Sequence, residues 1–72
     1  MKRILYSEHA IERMYERRIP DKRIEATILD PDLCEQARHG TLKAVKQFGR
    51  KKLCVVYKDR PSTYIVVTTY YD

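Results

Sequence analysis

Apolar residues recur at helical spacing in the first part of the chain and at alternate positions in the rest. In Ser7–Pro20, SEHAIERMYERRIP, a step of roughly 100° per residue puts Ala10, Ile11, Met14 and Tyr15 on one face. That arc is about 140° wide, enough to dock a helix on a sheet. Ser7 is a good N-cap, since its hydroxyl accepts from an otherwise unpaired backbone N–H. Glu8 suits the positive end of the helix dipole, and Arg17 and Arg18 suit the negative end. Pro20 keeps Ile19 out of the helical region. The pattern predicts a helix over residues 7–18.

The run DKRIEATIL predicts a second short helix over 21–29, with Asp21 as its N-cap or first-turn acid. Ile24 and Ile28 fall one turn apart, but Thr27 narrows the apolar face. Asp30-Pro31-Asp32 ends it. Ahead of both helices, Met1–Tyr6 reads as a partly apolar lead-in, in which Ile4 or Tyr6 staples the first helix.

From Leu33 the period changes to two. Strands are predicted over 33–38, 42–48, 52–58 and 63–71, separated by turns at 39–41, 49–51 and 59–62. On the second of these, Leu42, Ala44, Lys46 and Phe48 share one face. The last two strands are apolar on both faces: Val55, Tyr57, Tyr64 and Val66 on one, Cys54, Val56, Ile65 and Val67 on the other. The expected fold is α+β, two short N-terminal helices packed on a four-stranded antiparallel sheet, in one domain of residues 1–72. Two such helices cover only one side of the sheet. Curvature, a second copy in a homodimer, a partner protein or a binding groove then accounts for the other, if it bears about 400 Å² of apolar surface.

Composition narrows the function. Fifteen basic against ten acidic residues give a net charge of +5 and a pI near 9.4, which favours an acidic partner, either nucleic acid or protein. Two glycines exclude a dinucleotide fingerprint or a phosphate-binding P-loop. Cys34 and Cys54 are too few for a disulfide scaffold and read as small core residues. Together with His9 and His39 they lack a recognised metal-ligand spacing, so no metal and no cofactor is expected. No apolar run approaches the ~18 residues of a membrane span, and Glu8 and His9 interrupt any signal-like start, so the expected location is the cytoplasm.

The residues that stand out chemically are His9, Arg13 and Arg17. At i, i+4 and i+8 they form a column along one border of the helix's apolar arc. An imidazole and two guanidiniums at a helix–sheet seam suit an anion or phosphate. The alternative is a solvated basic edge whose stems cover apolar surface.

Ser7-Glu8-His9-Ala10 followed by Arg13-Met14, Arg17 and Ile19 resembles the opening of the domain-of-unknown-function family 4258. Pro31 near the helix-to-strand junction, the strand Leu53-Cys54-Val55-Val56 and the ending Val67-Thr68-Thr69-Tyr70 extend the resemblance over nearly the whole chain. That family is similar in layout to RelE/ParE-like toxins and other small metal-independent ribonucleases. The resemblance implies RNA as substrate and a separately encoded antitoxin-like protein as partner. His9 would then serve as the proton-transferring group and Arg13 as the phosphate fork. Arg17 and Lys46 would add charge around the phosphate, and Tyr70, with Thr68 beside it, would meet the substrate. His39 competes with His9 but falls in a turn, which holds a base less well than a helix. For Lys46, Thr68 and Tyr70 the bland readings are a solvated charge, a β-former and a sheet-packing aromatic. The function from a different class is a non-catalytic interaction module that binds a partner through its apolar sheet face.

Overall fold

Ser7 shows how this sequence ties helix to sheet. In the computed structural model, which describes residues 2–72, helix α1 spans Glu8–Arg17 with Ser7 as its N-cap. The Ser7 hydroxyl accepts from the Ala10 N–H at 3.0 Å and donates to the Val67 carbonyl at 2.9 Å. One side chain closes the helix end and pins it to the last strand. Ser7→Ala is expected to cost about 1–2 kcal/mol, read as a lower urea midpoint at unchanged slope.

The other end of α1 closes in a Schellman arrangement. The Ile19 N–H reaches the Met14 carbonyl at 2.9 Å and the Arg18 N–H reaches Tyr15 at 3.4 Å, while Arg18 sits in the left-handed region at φ 51°, ψ 51°. Glycine normally occupies that position, because a Cβ is crowded there. Arg18→Gly is therefore expected to stabilise the domain by about 1 kcal/mol. Calorimetry would show this as a midpoint roughly 4–8 °C higher.

Helix α2 spans Asp21–Leu29 with Pro20 at the N-cap position, so Asp21 serves as the first-turn acid and not as the cap. It buries Ile24, Thr27 and Ile28. The Thr27 hydroxyl returns to the Arg23 carbonyl at 2.7 Å, which satisfies a polar atom that burial would otherwise leave unpaired.

Among the described residues the sheet has five strands, one more than the pattern predicts: β1 Arg3–Tyr6, β2 Leu33–Gln36, β3 Leu42–Phe48, β4 Lys51–Asp59 and β5 Thr63–Tyr71. Their spatial order is β1–β5–β4–β3–β2. The antiparallel meander from β2 to β5 matches expectation. The lead-in segment does not: it pairs parallel to β5, with Arg3 beside Thr63 and Tyr6 beside Val66. Ile4 and Tyr6 thus pack on the core from within the sheet; Met1 lies outside the described residues. Four residues whose partner is at the far end of the chain leave no local pairing signal. Strand β2 also stops two residues short of the predicted end, where a tight turn at Arg38–Gly40 begins.

One irregularity decides which residues share a face. Tyr57 pairs with Val66, but Val56 pairs with Thr68, so Val67 is the extra residue of a β-bulge. The bulge reverses the alternation of β5. Thr69 and Tyr71 turn to the helix side, where Thr69 is buried and Tyr71 packs on the core. Thr68 and Tyr70, opposite Val56 and Cys54, turn to the other side.

The core lies between helices and sheet: Ala10, Ile19, Ile24, Ile28, Ala44, Leu53, Val55, Tyr57 and Val66. Helix α1 docks through a narrower face than its apolar arc suggests, for Ile11 is 47% exposed and Tyr15 85%. The Ser7–Val67 bond and an Arg17 guanidinium bond to the Thr69 carbonyl at 3.3 Å set the helix's roll, so that Ala10 and Met14 meet the core.

Cys54 is buried as expected, but Cys34 is exposed on edge strand β2, its sulfur 3.8 Å from the Tyr57 hydroxyl. Burial, and then that sulfur, hold the Tyr57 phenol well above its ordinary value of 10.0. A raised folded-state value means stability that is complete below pH 10 and falls as the pH rises beyond it. Tyr57→Phe is expected to flatten that alkaline decline in a pH series of urea midpoints. Among the described residues no helix is long and apolar enough to cross a membrane.

Candidate functional site

The side of the sheet away from the helices carries the candidate site. Its floor is Val56 on β4 with Ile65 and Val67 on β5, and the bulge brings Tyr70 to the same side. Lys43 on β3 pairs with Val56, and Lys58 on β4 with Ile65. Arg38 and His39 come from the tight turn before β3, and Arg60 from the turn after β4. Together with Ala37, Thr41 and Ser7 these residues line a groove of about 690 Å³.

Four cationic side chains and an imidazole ring this apolar floor, with no carboxylate among the lining residues. Glu35 faces the same side, across the β2–β3 pairing from Lys43. The Lys43 ammonium is 5.9 Å from the centre of the Tyr70 ring. The Tyr70 hydroxyl, above all, holds Lys43 above the ordinary lysine range, so the amine keeps its charge. Below Tyr70, Cys54 is 1% exposed. Burial pushes its thiol up, against the opposing pull of Lys43, so the sulfur is a packing group and no thiolate nucleophile.

A second hollow, of about 340 Å³ between α2 and β1, has the opposite character. It is lined by Asp21 and Glu25 as well as Lys2, and its Tyr6 phenol is raised by burial and then by those two acids. The basic groove is therefore a local feature and not a uniform property of the surface.

The residues singled out in the sequence separate into three places. His9, Arg13 and Arg17 follow α1, and none of them lines the groove. His9 is exposed. Arg13, with 30% of its side chain exposed, is the most enclosed of the three and pairs with Glu16 at 2.8 Å. Arg17 is spent on the Thr69 carbonyl. Tyr70 lies in the groove and Thr68 faces the same side by its register with Val56. Lys46 is on the helix side of β3, where its ammonium donates to the Asp30 carbonyl at 2.8 Å and closes the end of α2. Pattern reading passed over Arg38, Lys43, Lys58 and Arg60. The available signal was the phase of β3 and β4, which puts Lys43 and Lys58 on the face opposite Ala44 and Tyr57.

The family described as Domain of unknown function (DUF4258) matches this chain over residues 6–71. The chain belongs to that family. Comparison of this DUF4258 chain with curated proteins and with solved structures finds no match. The matched residues take in β5 with its bulge, all of β2–β4 and both turns that supply the groove's basic rim, so the site belongs to the family domain itself.

Proposed function

We propose that this domain binds single-stranded RNA across the open sheet face and, in the manner of small metal-independent ribonucleases of the RelE/ParE-like toxins, cleaves it. The observation that carries the reading is the groove itself: cations and an imidazole around an apolar floor, with no acid among them. Phosphates supply the matching charge, and unstacked bases supply flat apolar surface for the floor and for Tyr70. A duplex hides its bases and offers only its backbone, so a single strand suits the groove better.

Fluorescence anisotropy with labelled single-stranded RNA, the matching duplex and a salt series tests this. Preference for the single strand, with affinity falling steeply as salt rises, is the expected result. Equal, salt-insensitive binding of both, or none, removes the reading.

A second reading is a non-catalytic module that docks a partner protein on the same face, either a separately encoded antitoxin-like chain or a second copy. Leu5 and Leu33, exposed at opposite edges of that face, favour it. Two copies face to face would bring like charges together, so an acidic partner fits this reading better than a homodimer. Sedimentation at micromolar concentration separates the cases: a stable dimer whose formation occludes Tyr70 would favour self-association.

A further inference from the structure

Two observations meet at His39. The residue lines the basic groove with Arg38, Lys43, Lys58 and Tyr70. Its backbone lies in the left-handed region at φ 59°, ψ 37°, where a residue with a Cβ is strained relative to glycine.

The surrounding bonds impose that conformation. The Ala37 N–H donates to the Thr41 carbonyl at 2.8 Å. The Thr41 N–H and hydroxyl both close on the Arg38 carbonyl, at 3.2 and 2.6 Å. A glycine at position 39 would fit this turn with less strain, yet the chain places an imidazole there. Strain held in place by such bonding is found most often at functional sites. These bonds fix the backbone from which the imidazole projects.

We propose that His39, and not His9, is the catalytic base of this site. The proposal rests on that RNA reading of the groove and names the groups that carry the cleavage. The ribose 2′-oxygen attacks the adjacent phosphorus while its proton passes to a free ring nitrogen of His39. The bond from phosphorus to the 5′-oxygen breaks, and the leaving oxygen takes the Tyr70 hydroxyl proton, which water then replaces. The products are a 2′,3′-cyclic phosphate and a 5′-hydroxyl, and the imidazolium returns its proton to water. Lys43, beside Tyr70, and Lys58 offset the charge that gathers on the non-bridging oxygens.

The test compares wild type, His39→Gly, His39→Gln and His9→Ala on an end-labelled single-stranded RNA in excess chelator. His39→Gly is expected to keep most of the RNA binding, which the four cations of the groove carry, to unfold at a higher temperature because the strain is gone, and to cleave about 10²–10⁴-fold more slowly. His39→Gln is expected to lose the same activity without the thermal gain. His9→Ala is expected to cleave like wild type. Undiminished cleavage by His39→Gly overturns the proposal, as does a wild type that binds RNA and never cuts it. A loss of binding in step with cleavage assigns His39 to affinity and overturns it too. Absence of RNA binding by wild type is a different failure, that of the RNA reading beneath it.

Discussion

Replacing Lys43 and Lys58 together by glutamine is expected to weaken single-stranded RNA binding about 100-fold. Both lysines line the same groove, and each charged hydrogen bond to a phosphate contributes about 1.5 kcal/mol. Two such bonds give roughly 3 kcal/mol, or about two decades in affinity. The slope of log affinity against log salt is expected to fall by about 1.4, since each phosphate neutralised on a single strand contributes about 0.7. Lys46→Gln is the control, because Lys46 lies on the helix side and is held by Asp30. An affinity that follows Lys46 instead would move the site off the open face. Circular dichroism of each variant checks that the fold persists.

Leu53→Ala is expected to cost about 3–4 kcal/mol, from lost burial and the cavity left behind. Leu53 is fully buried on β4, between Lys46 of β3 and Tyr71 of β5, so little can collapse into the gap. A domain of 72 residues has a total stability of about 4–11 kcal/mol, so this one change removes a large share. Urea denaturation would show it as a midpoint near the foot of the accessible range. Ile11→Ala, on the exposed side of α1, is expected to cost less than about 1 kcal/mol. If Ile11→Ala proved the costlier change, α1 would dock through the full arc that its pattern suggests.

The helices and the four meander strands were legible because each carries its own signal. Ser7 and Pro20 bracket α1, Asp30-Pro31 closes α2, and the change to alternating residues at Leu33 marks the sheet. The apolar character of both faces of β4 and β5 was legible as well, and with it the need for something to occupy the uncovered side. Strand β1 was not, because the backbone partner that makes Arg3–Tyr6 a strand is β5 at the other end of the chain. The roll of α1 was also hidden. Ile11 and Tyr15 are as apolar as Ala10 and Met14, and only the bonds from Ser7 and Arg17 to β5 choose between them.

The candidate site divides in the same way. The basic balance of the chain, the His9–Arg13–Arg17 column and the alternation of Lys43 with apolar neighbours are properties of sequence. Where those charges meet is not. Uninterrupted alternation from Val66 would carry Thr68 and Tyr70 onto the helix side. The single extra residue at Val67 sends them to the open face beside Lys43 instead. A one-residue change of phase moves every later side chain of a strand across the sheet, and only the pairing of β5 with β4 reveals it. By itself the sequence determined the two helices, the four meander strands, the basic charge and the apolar open face. The tertiary structure decided that Tyr70, His39 and the lysines share one groove, because register, bulge and turn geometry are set by partners distant along the chain.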